Sequence, residues 1–138
     1  MSSWRDQASE EAQQDLDSLV GAALETGETT LESTGELRPF FIGVRIDGTK
    51  TMGSLGDEVD ASEVVVRLVA ALRKSRDQYR AVAIVKDVTL RDGTSDAIWV
   101  DLCHSEGHAM TCYLTYRLHD GRLTAGDMGA QACDNLLW

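Results

Sequence analysis

The sequence predicts an α+β fold: an N-terminal helix, a β-hairpin, a second helix and then an antiparallel meander of three to four strands, with the helices packed on one sheet face. Three observations carry this. Apolar residues near the start recur at helical spacing. Asp-Gly and related turn pairs punctuate the middle and the end. Between them lie β-prone runs, and helices followed by a run of strands make an α+β order.

The first helix rests on Trp4, Ala8, Ala12, Leu16, Leu19, Val20, Ala23 and Leu24, spaced by threes and fours so that they share one face. Ser2 or Ser3 is its expected cap, and Gly27 its expected end. Glu28 to Glu36 is rich in Thr, Ser and Glu and reads as a loop. In "FFIGVRIDGTKTMGSL" the pair Asp47-Gly48 divides two β-prone runs, as a hairpin turn requires. Asp57 to Asp60 leads into the second helix, where Asp60 and Glu63 form a capping-box pair ahead of Val64, Val65, Leu68, Val69 and Leu72. Arg73, Lys74 and Arg76 crowd its last turns, where they suit the helix dipole.

The meander comprises "YRAVAIVKDVTL", a turn at Asp92-Gly93, "DAIWVDLCH", a turn at Ser105-Glu106-Gly107 and "HAMTCYLTYRL". A further turn at His119-Asp120-Gly121 introduces "RLTAGDMG", read as a short edge strand. The register between residues 81–90 and 96–104 stays open, because both faces of the first of these strands are apolar. The apolar C-terminal "NLLW" is expected to dock on the body of the domain, though a homodimer contact would use it equally well.

At 138 residues the chain fits a single domain spanning 1–138. Hydrophobic residues are 43% and charged residues 26%, an ordinary globular composition. The net charge of −10 repels phosphate backbones, so no nucleic-acid partner is expected; a basic protein partner is the favoured kind. The polar, acidic start is unlike a secretory signal, and no apolar run is long enough for a membrane span. Three cysteines, Cys103, Cys112 and Cys133, follow no disulfide framework, which fits a reducing cytoplasmic setting.

The densest chemistry lies in "DLCHSEGHAMTC", residues 101–112, with two of the three cysteines and two of the three histidines. Strand alternation about Glu106 sets His104 opposite His108, Leu102 opposite Met110, Val100 opposite Cys112 and Trp99 opposite Tyr113. Cys103 then points away from both histidines. Cys112 shares their face but lies about 13 Å from His108 along the strand. His104 and His108 remain as two weak metal candidates at an exposed turn, short of the three or four ligands a zinc site needs. No metal and no cofactor is therefore expected. The same divergence leaves no Cys–His pair within hydrogen-bond reach, and no phosphate-loop, nucleophile-elbow or zinc-protease motif occurs.

Among the carboxylates, Asp87, Asp96 and Asp101 stand out because they interrupt apolar strands. Asp101 shares a face with Trp99 and Cys103 and lies opposite Thr111. That face, with Ala109, Thr111, Tyr113 and Thr115, carries the predicted Trp99–Tyr113 cross-strand pair. Such a pair stabilises a sheet by itself; it is also what a protein-binding patch contains. Trp99, Asp101, Thr111, Tyr113 and Thr115 are the candidate partner-binding residues, and no catalytic set assembles.

The segments "GELRPFFIGVRIDGT", "RAVAIVKDV" and "DAIWVDLCHSEGHA…TYRL", with Gly35, Glu36, Pro39, Phe40, Asp87, Asp96 and Ala97, resemble small uncharacterised bacterial proteins that share a Gly-Glu-x-x-Pro-Phe segment and a C-terminal β-meander. The resemblance spans about Gly35 to Leu118 and implies an α+β fold with no assigned activity. Three functions follow as expectations. The first is a non-enzymatic acidic protein-binding module, of which an immunity-type protein neutralising a basic toxin is one form. The second is a homodimeric scaffold or regulator of roadblock/profilin-like topology, by analogy of element order. The third is a small enzyme using Asp96, Asp101, His104 or His108.

Overall fold

A long helix opens the described part of the fold. The structure is a computed structural model that describes residues 8–56, 59–90 and 95–138, and backbone alone at 61 and 62. Helix α1 spans Glu10–Thr34, 25 residues, capped at its start by the Ser9 hydroxyl accepting from the Ala12 amide. The caps expected at Ser2 or Ser3, and the contact expected of Trp4, lie outside the described residues. Gly27 does not end α1. It sits buried inside the helix, packed on Ile98, and the segment read as a loop is helical to Thr34. The helix stops at the next residue, Gly35, whose φ of 78° only glycine adopts freely, with its amide bonded to Leu31 O. Burial of Leu31 holds this last stretch to the sheet and outweighs its poor helix formers.

Strands β1 (Phe40–Arg45) and β2 (Lys50–Ser54) form the expected hairpin, with Gly48 at φ 92° in the turn. The Asp47 carboxylate accepts from both the Thr49 amide and hydroxyl, which hold its pKa below the usual carboxylate value. Helix α2 covers Ala61–Lys74 and starts directly after Asp60, as expected. Glu63 pairs with Arg67 one turn on, at 3.1 Å. The meander has four strands: β3 (Tyr79–Thr89), β4 (Asp96–His104), β5 (Ala109–His119) and β6 (Arg122–Ala132). The turn expected at Asp92-Gly93 lies outside the described residues. The last strand is not short, at 11 residues, since β5 offers it a partner along its whole length.

The six strands among the described residues form one antiparallel sheet in the order β2-β1-β3-β4-β5-β6. Register in the unresolved pair runs from Ala81–His104 to Thr89–Asp96. The helices lie on opposite faces, which corrects the expectation of one shared face. Leu16, Leu19, Ala23 and Leu31 of α1 pack on Ile42, Ala81, Ala83, Val85, Ile98 and Val100. Leu72 of α2 and Leu137 of the tail pack on the alternate residues Val82, Ile84 and Cys103. Apolarity on both faces of β3 is the physical cause: a strand without a polar side must be covered twice.

The C-terminal segment docks as expected. Leu137 is buried, Arg73 Nε donates to Leu136 O at 2.7 Å, and an Arg76 guanidinium nitrogen donates to Leu137 O at 2.8 Å. Those two arginines therefore serve the tail. Among the described residues no helix is long and apolar enough to cross a membrane.

Candidate functional site

Residues 101–112 form the β4–β5 hairpin in the expected register, with Asp101 opposite Thr111, Leu102 opposite Met110 and the His104 amide donating to His108 O at 2.9 Å. Gly107 takes the left-handed turn position at φ 104°. The environment of His104 differs from expectation. It is 2% exposed, and its Nε2 lies 3.0 Å from Asp15 Oδ2 of α1. Its Nδ1 accepts from the Glu106 amide at 3.1 Å, so the ring proton sits on Nε2 and is donated to Asp15. Both ring nitrogens are thus spent on structure.

Asp15 also takes a two-point bond from Arg80, Nε and a terminal nitrogen each at 3.0 Å, which raises the Arg80 pKa. A bulge puts Arg80 there. Val44 pairs with Ala81 while Arg45 pairs with Tyr79, so Arg80 is the extra residue and turns toward α1. Pairing spacing alone could not reveal a contact between residues 65 and 89 positions apart.

The rest of the turn is equally structural. Glu106 accepts from the Ser9 hydroxyl at 2.6 Å, which holds its pKa below the usual carboxylate value. Asn135 Nδ2 donates to both His104 O and His108 O, and its Oδ1 receives the amides of Leu137 and Trp138. The stretch singled out for chemistry is where the first helix and the tail are fastened to the sheet. His108 stands 3.6 Å from Glu106. Among the described residues, no group of three or more His, Cys, Asp or Glu is placed to hold a metal ion.

The thiols separate as alternation requires. Cys112 lies in the core under α1, and Cys103 on the opposite face, buried beside the tail. Burial pushes the Cys103 thiol up to about 11, and burial also raises Cys133, against a hydrogen bond with Thr111. Neither is an activated nucleophile.

Each enzyme candidate is engaged. Asp87 accepts from the Tyr116 hydroxyl at 2.8 Å, and Asp96 from the Thr89 hydroxyl at 3.0 Å. Burial raises Asp87, the neighbouring Asp96 charge adds to this, and the Tyr116 bond opposes it; burial also raises Tyr116. Asp101 lies on the other face and accepts from the Thr111 hydroxyl at 2.6 Å and from Trp99 Nε1 at 3.2 Å. Asp101 and His104 point to opposite faces, so the residues of the enzyme reading do not converge.

What does converge is aromatic. Trp99 and Tyr113 are cross-strand partners, stacked with centroids 5.5 Å apart and rings 12° from parallel. Both are half-buried, and Asp101 pins the indole through its N–H. They floor a groove of about 480 Å³ with Lys86, Val88, Leu90 and Gln131, so its described walls are strands and the chain just past β3. Tyr113 leans across the sheet onto Gly129 of β6, where a Cβ would collide with the ring.

The remaining candidates have other duties. Thr111 is 1% exposed and serves Asp101, so burial removes it from direct contact with a partner. Thr115 bonds Asp127 N at 2.7 Å and Asp127 O at 3.2 Å, holding a bulge at Gly126–Asp127. Lys86, Val88, Leu90 and Gln131 were missed because their placement depends on the β3–β4 and β5–β6 registers. Gly129 offered the one available signal, a glycine inside a strand. Comparison with protein-family models, curated proteins and solved structures gives no match for the chain.

Proposed function

We propose that the protein is a non-enzymatic, acidic protein-binding module whose Trp99–Tyr113 groove seats an anchor side chain of a basic partner. One observation carries this reading: a pre-stacked, half-exposed aromatic pair floors a groove that no described side chain of α1 or α2 lines. Trp and Tyr bury large area at small entropic cost, and the Asp101 bond has already fixed the indole, so little order remains to be imposed on binding. The net charge of −10 steers a basic protein toward this surface. An immunity-type protein neutralising a basic toxin is one form of such a module. Three cysteines outside any disulfide suit action in a reducing compartment such as the cytoplasm.

The test is affinity capture from the producing cells at about 50 mM and about 500 mM salt, with the wild type and Trp99→Ala/Tyr113→Ala. The reading requires a basic protein that is held at low salt, released at high salt and lost with the double variant. A captured protein indifferent to both salt and the double variant would overturn it. Recovery of only a second copy of the chain would replace it with the homodimeric scaffold.

A further inference from the structure

Strand β6 closes one side of the sheet and pairs only with β5 among the described strands. Its outward backbone groups can be assigned. The His104–His108 rung is hydrogen-bonded, so along β5 the groups of Met110 and Cys112 turn to β4, and those of Thr111 and Tyr113 turn to β6. Their partners Gln131 and Gly129 turn inward, leaving N–H and C=O of Met128, Ala130 and Ala132 directed away from β5. Natural edges are usually guarded by Lys or Pro. β6 has neither; its charged residues are Arg122 and Asp127, and its one bulge lies at Gly126–Asp127, before this segment.

The two faces flanking this edge differ in chemistry. On the α1 side, Leu16, Asp17, Val20, Met110, Met128 and Ala130 line a groove of about 260 Å³, with Met128 58% exposed. Helix α1 contains seven Asp or Glu and no Lys, Arg or His. Asp17 lies at this groove; Glu28 and Glu32 fall within about 60° of it on the circumference but about 16 and 22 Å further along the axis, toward the Gly121 turn. On the opposite face, Gly129 leaves the Tyr113 ring uncovered at the edge, beside Gln131 and the aromatic groove.

We propose that β6 is a docking edge: an extended segment of a basic partner adds to Met128–Ala132 as a seventh strand, with alternate residues cationic toward α1 and apolar toward Tyr113. Residues hydrogen-bonded to Met128 and Ala130 place their side chains on the α1 face, where the Asp17 carboxylate selects Lys or Arg. The residue opposite Gly129 meets the Tyr113 ring across a position with no side chain of its own. Backbone pairing supplies affinity, and this alternation supplies specificity. The proposal rests on the reading of the protein as an acidic binding module, and it names the partner's conformation and pattern.

The probe is a synthetic peptide of about nine residues alternating Arg and Val, a usual strand length. A control of the same composition has its arginines grouped at one end. Binding is followed by titration, and by hydrogen exchange at the Met128 and Ala130 amides. Ala130→Pro removes an outward N–H without touching the β5–β6 ladder, and should weaken the alternating peptide about tenfold or more. Asp17→Lys, at an exposed position on the groove, should weaken it about tenfold at low salt. The two amides should exchange more slowly when the peptide is bound.

Salt-sensitive binding that needs Trp99 but ignores Ala130→Pro overturns the edge and leaves the groove reading standing. Binding that needs the β6 edge but ignores Trp99→Ala supports the edge and overturns the groove. Equal binding of the control peptide, slowed exchange through self-association of the chain alone, or no binding overturns the edge proposal.

Discussion

At the residue scale, burial and hydrogen bonding decide roles that residue type leaves open. His104 looked like a ligand or a base by type, yet each ring nitrogen has a structural partner. Asp15, 6% exposed, is tolerable only because Arg80 and His104 both bond it. Asp87, an exposed residue, is the opposite case: partial desolvation of its carboxyl, with the Asp96 charge adding to it, raises its pKa although Tyr116 donates a bond. A carboxyl raised on folding favours the folded state when protonated. Its stabilisation is complete below the unfolded value of about 3.9 and is lost as pH rises through the higher folded value. Asp87→Asn keeps an acceptor for Tyr116 and removes the charge. It should therefore be more stable than wild type in urea melts at pH 7, with the advantage gone below about pH 4. A difference that does not change with pH would contradict the assigned cause.

At the element scale, α1 shows how packing overrides local signals. Its two internal glycines look alike in sequence and sit in opposite surroundings. Gly21 has nothing within 4 Å of where a Cβ would stand, whereas at Gly27 that atom would lie 3.2 Å from two Ile98 carbons. Gly21→Ala should stabilise the protein by about 0.5–1 kcal/mol, the gain in helix propensity. Gly27→Ala has the same propensity gain but must push on a buried side chain, so it should bring no increase or a loss. Chemical denaturation of the two variants checks the contrast, and equal stabilisation would show that Ile98 yields freely. The bulge at Arg80 and that at Gly126–Asp127 are further element-scale devices, one aiming a guanidinium at α1 and the other bending the edge strand.

At the scale of the whole molecule, three distant segments meet at the β4–β5 turn: the start of α1 through Ser9 and Asp15, the Arg80 bulge, whose carbonyl accepts from Ser105, and the tail through Asn135. The tail closes the core over Cys103, the Leu136 and Leu137 backbone bonding the thiol. Truncation after Asp134 should expose that thiol and remove the buried Leu137, costing about 2–5 kcal/mol. A thiol reagent should then label Cys103 at least about tenfold faster than in the intact chain, where reaction awaits opening. Site-resolved mass spectrometry reads the rate, and an unchanged rate would mean that the sheet alone protects it.

How much was legible follows from the range of each interaction. The hairpin register at residues 96–116, the two-strand turn at Asp47-Gly48, the start of α2 and the Trp99–Tyr113 pair all rest on neighbours in sequence, where alternation and turn chemistry suffice. The end of α1 was misread because Gly27 signals a stop locally, while burial of Leu31 decides otherwise. Half the aromatic groove was legible, namely its stacked floor; Lys86 was not, since the register of β3 depended on faces apolar on both sides, nor was Gln131, which lies beyond the short edge strand read from the sequence.

By itself, then, the sequence determined the α+β order, most of the strands and the acidic balance, because these arise from period, turn residues and composition. Tertiary structure alone decided that the helices cover opposite faces, that His104 belongs to Asp15, and that Tyr113 reaches the β6 edge over Gly129. Each of those depends on which strand lies beside which, and that choice is made by burying two faces of β3 at once.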